Sequence, residues 1–422
     1  MHDVVRDFAI YIASKEKHGF MVRAGHNLNE WPRRESFSQK SAISLMSNDI
    51  HVLPRDVHCP NLQILLLGEN EGLEQIPENF FIQMKMLQVL DLSERVGVHS
   101  LKPRYGLVPN ATRKIPRPLR FPSSVKVLTS LRTLRLDRCK LGDVSSLGRL
   151  RSLEILSLSG SSIRELPNEF RDLVNLRLLD LSFCGYLQKI PENLISHLVQ
   201  LEELYMGGSF QLWKLADGSV EGSGQACLSE LMSLPHLNIL CVEVSTLLAF
   251  PENFYLPSIH KFEITIKVTG FGRTPYYHAS SAPDLREIKT GIPNGMKHML
   301  QFTEELTMFC ACKEILKSIF DVKGGLYHLK ALEITASEDI TYLVDEVLHS
   351  DASVILGALE KLHLRNLKKL CTLSIRSIKA GSFQNLQILK VDICHNLSIL
   401  LGTELLQRLS SIEEVDVYLC NI

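Results

Sequence analysis

One short phrase of aliphatic residues recurs along the chain: leucine, two variable residues, leucine, one variable residue, leucine. Unaltered copies begin at Leu62, Leu87, Leu131, Leu153, Leu176 and Leu359. When another apolar residue is allowed in place of leucine, further copies begin at Leu201, Leu237, Ile259, Leu329, Leu386 and Ile412, with weaker ones at Ile43, Leu285 and Leu306. Most neighbouring starts are about 20–30 residues apart, which is the period of a solenoid of stacked repeats.

The spacing within the phrase indicates what each repeat folds into. Apolar residues separated by three and then two positions do not sustain the stripe of a helix, which argues against the alternative of a helical repeat array. The pattern predicts an α/β solenoid, namely a leucine-rich-repeat horseshoe. Each phrase would be a short strand of a parallel β-sheet on the concave face, followed by an irregular or helical return on the convex side.

Composition narrows the class of protein. The 422 residues include 46 basic and 47 acidic ones, so no net field favours nucleic acid or an anionic membrane. No apolar run is long enough to span a bilayer, and the charged start does not resemble a signal peptide. We therefore expect a cytoplasmic chain with reduced thiols. Four cysteines occupy the inward Asn/Cys position that follows the phrase: Cys139, Cys184, Cys394 and Cys420.

Three stretches break the register and suggest the domain organisation. Residues 1–35 carry no repeat but contain the apolar face of a helix. Repeats would then occupy 36–206, with a basic, proline-rich insert at about 96–122 that is best explained as a surface loop. A glycine-rich loop at 207–228 precedes the second set of repeats, 229–422, whose end is expected to be uncapped.

The variable positions of each phrase alternate with the buried ones, so they should face outward and form a candidate protein-binding surface. Arg132, Arg135 and Arg138 are expected to form a cationic patch there. The predicted surface residues, many of which would be ordinary solvated charges, are Arg132, Arg135, Asp137, Arg138, Glu203, Tyr205, Lys261, Glu263, Lys330, Glu333, Lys361, His363, Arg365, Lys390 and Asp392. His363 is expected to make a polar surface contact.

Motifs for catalysis or cofactor binding are missing from the sequence. It contains no GxxxxGK[ST], GxGxxG, HExxH or GxSxG, and no cysteine and histidine cluster with zinc spacing. We therefore predict a chain that is not an enzyme, has no catalytic residues and binds no metal or cofactor.

The first residues resemble a known motif. Met1-His2-Asp3, followed by Val4 and Val5, is similar to the MHD motif of plant coiled-coil, nucleotide-binding, leucine-rich-repeat disease resistance proteins. The phrase beginning at Leu201 also resembles that family's repeats. By this resemblance, residues 1–35 are the C-terminal remnant of the winged-helix part of a nucleotide-binding domain. His2 would contact ADP and Asp3 would support it, with ADP or ATP bound only by a full-length family member.

The resemblance also implies a function. The repeats would recognise a pathogen effector or a guarded host protein, and would hold the receptor inactive by contacting its own nucleotide-binding domain. The chain would then be a family member truncated to the motif and the repeats. Two alternatives remain: a substrate adaptor of a ubiquitin ligase, and a non-functional product of a truncated gene.

Overall fold

The chain divides into two units, Met1–Ser209 and Phe210–Ile422. The structure, a computed structural model, describes residues 19–32, 37–70, 73, 75–94, 119–216, 225–245, 249–267, 294–309, 316, 319, 326–343, 356–373, 383–398, 407 and 409–420. Three predictions fall largely or wholly outside these residues: the amino-terminal helix, the basic insert and the tip of the glycine-rich loop.

The first unit is built on parallel strands that follow one another in chain order. They are β1 (Phe20–Val22), β2 (Ala42–Ser44), β3 (Ile64–Leu66), β4 (Val89–Asp91), β5 (Thr133–Arg135), β6 (Ile155–Ser157), β7 (Leu178–Asp180) and β8 (Glu203–Tyr205). Each of these strands has three residues, because only the centre of the phrase has the extended conformation.

The second unit repeats this arrangement with longer strands. They are β9 (Ile239–Val244), β10 (Lys261–Lys267), β11 (Thr303–Phe309), β12 (Ala331–Thr335), β13 (Lys361–Arg365), β14 (Ile388–Asp392) and β15 (Glu414–Tyr418). A short helix, α1 (Asn294–Leu300), precedes β11.

These strands confirm the leucine-rich-repeat fold. The aliphatic residues of the phrase are buried: Leu153, Leu156 and Leu158 each have 0% exposure. One boundary was wrong, because β1 lies inside the 1–35 segment that was expected to carry no repeat. Its sequence lacks the leucine phrase, yet Met21 is buried and β1 pairs with β2.

The return segments are compact but scarcely α-helical. Most of those described contain a 3-10 helix, and these helices span Ser123–Val127, Ser145–Arg149, Asn168–Asp172, Ile195–His197 and Leu228–Ser233. Gly148 lies directly against the backbone of Glu169 in the next repeat, so a Cβ atom there would clash with it. Neighbouring return segments are therefore packed closely at this position.

The position three residues after the phrase ties neighbouring repeats together. The amide nitrogen of Asn48 donates to the carbonyl oxygens of Arg23 and Leu45 at 2.7 and 3.0 Å. At the same position, the Cys139 thiol donates to the carbonyl of Leu92 at 3.2 Å and the Cys184 thiol to that of Leu158 at 3.0 Å. The inward-facing role predicted for these cysteines is therefore confirmed.

Candidate protein-binding surface

In both units, the side chains that alternate with the buried aliphatic residues point away from the core and form a surface that we call the strand face. Because neighbouring strands pair in register, residues at equivalent positions form rows across the sheet. Most of the surface residues predicted from the sequence lie on the strand face of one unit or the other.

The predicted cationic patch is wrong, because two of its three arginines are neutralised. The Arg132 guanidinium donates to the Glu154 carboxylate at 2.7 Å. The Arg135 guanidinium binds Asp137 at 2.7 Å and approaches Asp91 to 3.4 Å. Arg138 is exposed, but it lies on the turn after β5.

Asp137 was predicted to lie on the binding surface, but its side chain is buried. It is 6% exposed, and Asp91 is 4% exposed. The Ser157 hydroxyl donates to Asp137, and Ser93 donates to Asp91 through both its backbone nitrogen and its hydroxyl. Both carboxylates lie beneath Arg135 and hold its guanidinium in position.

Glu203 and Tyr205 form the last pair on the strand face of the first unit. The Tyr205 hydroxyl donates to the Glu203 carboxylate at 2.6 Å. Both side chains are half-buried. The phenol ring is thus oriented by a hydrogen bond while still open to a partner, an arrangement typical of tyrosines at protein interfaces.

On the second unit, three of the four predicted lysines pair with acidic residues. Lys261 pairs with Glu263 on its own strand, and Lys330 pairs with Glu304 at 3.0 Å. Lys390 pairs with Glu414 at 2.6 Å. In each case the hydrogen bond to the glutamate raises the pKa of the lysine.

His363 lies between two acidic residues on adjacent strands. Its imidazole is 3.0 Å from the Asp392 carboxylate and 3.6 Å from that of Glu333. The polar contact predicted for His363 is therefore confirmed. Lys361 is exposed and Arg365 half-buried on the same strand.

Sequence reasoning missed the acidic partners of the arginines. Arg132, Glu154, Arg177 and Glu202 occupy the same position of successive phrases, and Arg177 pairs with Glu202 at 2.8 Å. Opposite charges at one phrase position of adjacent repeats are the signal that would have identified these pairs.

Buried thiols on these units are unsuited to nucleophilic chemistry. Burial raises the pKa of Cys184 to about 11 and that of Cys59 to about 12. Burial, followed by the hydrogen bond to Glu263, also raises the pKa of Cys241. A thiol needs a lowered pKa to act as a nucleophile at neutral pH.

The described residues contain no group of three or more histidines, cysteines or acidic residues that could hold a metal ion. This part of the chain also contains no helix long and apolar enough to cross a membrane. The residues predicted to contact a nucleotide, His2 and Asp3, lie outside this part of the chain.

Comparison with known proteins agrees with the repeat sheets. Residues 284–421 match the family described as "Plant disease resistance protein RPS2-like, leucine-rich repeats". Residues 129–185 match "Leucine rich repeat". A leucine-rich-repeat protein of Leptospira interrogans, LIC12759, has a similar fold, with a TM-score of 0.54 at 17% identity over 95% of this chain and 90% of that one.

Two curated relatives come from Arabidopsis thaliana. "Disease resistance protein At4g27190" is 28% identical over 100% of this chain and 42% of its own length. "Probable disease resistance protein At4g27220" is 30% identical over 60% of this chain and 26% of its own length. The chain thus spans less than half the length of these relatives. Residues 284–421 of this chain are thus similar to the leucine-rich repeats of plant disease resistance proteins.

Proposed function

We propose that this chain is the recognition region of a plant intracellular immune receptor, and that it binds a partner protein on its strand faces. The proposal rests on one observation: exposed side chains of the strand face are held in fixed orientations. Arg135 is fixed by two buried carboxylates, and Tyr205 is fixed by Glu203. Side chains that are already oriented lose less conformational entropy when a partner binds.

We propose that the partner is a pathogen effector or a host protein that the receptor guards, encountered in the cytoplasm. We further propose that the same repeats restrain signalling by contacting the nucleotide-binding domain of their own full-length receptor. The support for these steps is the match to disease resistance repeats together with the charged side chains of the strand face.

Site-specific photo-crosslinking tests the location of binding. The variant Tyr205→p-benzoylphenylalanine places the photoreactive group on the strand face. The matched control Tyr186→p-benzoylphenylalanine places it at an exposed site on a return segment. Both variants would be expressed in plant tissue that is challenged with a pathogen, and crosslinked proteins would be identified by mass spectrometry.

We expect a defined crosslinked partner from position 205 and none from position 186. Crosslinking from position 186 alone would place the partner on the return side and contradict the proposal. The absence of crosslinks from position 205 and from an equivalent probe at position 363 would contradict it as well.

A further inference from the structure

Apolar side chains form a continuous row across the strand face of the first unit. Strand pairing aligns one residue from each of β1 to β7, in the order Phe20, Ala42, Ile64, Val89, Thr133, Ile155 and Leu178. Only Thr133 interrupts this apolar row with a hydroxyl group. At about 4.8 Å between strands, the row is roughly 30 Å long.

This apolar row is accessible. Phe20 is 39% exposed, and Ile64 and Ile155 are each 36% exposed. A connected apolar strip that is flanked by charged side chains from β4 onward is unusual for a surface that remains in water, and such strips mark interaction sites. Val89, between Ile64 and Ile155, and Leu178, at the end of the row, are half-buried.

A second row runs beside the apolar row, two residues further along each strand, and carries excess negative charge. It includes Asp91, Arg135, Ser157, Asp180 and Tyr205. Arg135 is already shared between Asp91 and the buried Asp137. Asp180 also acts on this guanidinium at longer range, so the carboxylates around Arg135 outnumber its single positive charge.

Asp180 and Glu203 are the carboxylates near β7 and β8 whose charge is least compensated. Asp180 accepts a hydrogen bond from the backbone nitrogen of Ser182 at 2.8 Å, and Glu203 accepts one from Tyr205 at 2.6 Å. Within the part of the chain that the structure describes, neither forms an ion pair. Glu203 stands at the end of the apolar row, directly after Leu178.

The row on the other side of the apolar row contributes no net charge. It contains Gln63, Gln88 and the self-neutralised pairs Arg132–Glu154 and Arg177–Glu202. The asymmetry is thus specific. Apolar side chains lie in the centre and balanced polar groups lie on one flank. Carboxylates without an ion pair lie on the other flank, at Asp180, and at the end of the apolar row, at Glu203.

We propose that this face binds a basic amphipathic segment of a partner protein. Its apolar side chains would cover the row from Ile64 to Leu178, and its lysine or arginine side chains would pair with Asp180 and Glu203. This inference rests on the proposed function and deepens it, because it specifies the chemistry of the bound segment. The charge of the flank is what favours a basic partner over an acidic one.

Three fluorescent peptides of equal length test the proposal by anisotropy titration. One is an amphipathic helix of leucine and lysine, the second replaces every lysine with glutamate, and the third scrambles the first so that its leucines no longer share a face. We expect the leucine–lysine peptide to bind tightest, with affinity that falls as salt rises.

Variants of the whole chain assign the contacts. Ile155→Gln should weaken leucine–lysine binding about tenfold, because one apolar anchor is lost. Val174→Gln, at an exposed position of a return segment, is the matched control and should bind like wild type. The double change Asp180→Lys with Glu203→Lys should reverse the preference toward the glutamate peptide. The control for charge, Glu165→Lys with Glu169→Lys, should not. Circular dichroism would verify that each variant is folded.

Each result of the peptide titrations either supports or overturns the proposal of a basic amphipathic partner. Equal binding of the scrambled and amphipathic lysine peptides would overturn the proposal, as would an unchanged preference after reversal of Asp180 and Glu203. Preference of the wild type for the glutamate peptide would do the same, yet crosslinking from position 205 would still support the proposed function. Failure of that crosslinking would instead count against the proposed function itself.

Discussion

Two consecutive residues of β6 allow a sharp test of the repeat architecture. Leu156 is 0% exposed, whereas Ile155 is 36% exposed on the strand face. Side chains of successive strand residues point to opposite faces, so the two are covalent neighbours with different environments. We therefore compare Leu156→Ala with Ile155→Ala.

The expected costs follow from burial and strand pairing. Leu156 stacks in register between Leu134 and Leu179, both also buried. Replacing a fully buried leucine with alanine costs about 2–5 kcal/mol, and we expect about 3 kcal/mol here because packing from both sides limits collapse of the cavity. Ile155→Ala loses only cross-strand contacts, which are worth about 0.2–1 kcal/mol each.

Urea denaturation followed by far-UV circular dichroism would measure both losses. Because stacked repeats can open locally, hydrogen–deuterium exchange would establish where stability is lost. We expect faster exchange in β5, β6 and β7 for Leu156→Ala and little change for Ile155→Ala. Equal losses, or a larger loss for Ile155→Ala, would refute the inward and outward assignment.

Three further changes address ion pairing, backbone contact and thiol burial. Arg135→Gln should lower the free energy of unfolding by about 2 kcal/mol, because two buried carboxylates lose their cation. Arg132→Gln, which breaks an exposed pair, should cost below about 1 kcal/mol in the same denaturation assay. Gly148→Ala should lower the melting temperature measured by calorimetry, since a Cβ atom meets backbone of the next repeat, whereas Gly185→Ala, with open space around it, should not. Cys184 should resist iodoacetamide at pH 8 in the folded chain and react once urea unfolds it, because burial raises its pKa to about 11.

The raised pKa of Cys184 also determines how the stability of the fold changes with pH. The folded state holds the thiol protonated up to about pH 11, against an ordinary value of 9.0. The buried thiol therefore contributes fully to stability below pH 9, and this contribution is lost as the pH rises from 9.0 to about 11. Arg135 variants would not alter this alkaline loss.

The strands were predictable from sequence because their determinants are local. Each copy of the phrase beginning at Leu62, Leu153 or Leu359 produced a strand at its centre. β1 was not predictable in this way, since Phe20-Met21-Val22 has only one buried residue and depends on pairing with β2.

The charges of the candidate surface were less predictable, for a physical reason. Which side chains reach each other depends on strand register, and register is a property of the folded sheet. Arg135 looked like a free cation until its contact with Asp91, from a strand that precedes the basic insert, was known. Likewise, the apolar row consists of residues far apart in sequence, and each of them alone resembles an ordinary half-buried strand position.

The inward position after each phrase has a consequence for how the first unit comes apart. Asn48 makes several hydrogen bonds, since its amide also accepts from the backbone nitrogens of His26 and Leu28. The Cys139 thiol donates one bond, and the Cys184 thiol donates one and also contacts the Ser161 hydroxyl at 3.6 Å. Hydrogen bonds to sulfur are weaker than those of an amide. The turn that contains asparagine is thus stabilised by more and stronger hydrogen bonds than the turns that contain cysteine. Under mechanical load, unravelling should begin among the cysteine-bearing coils and reach the asparagine-bearing ones last, a sequence of events that force spectroscopy can follow.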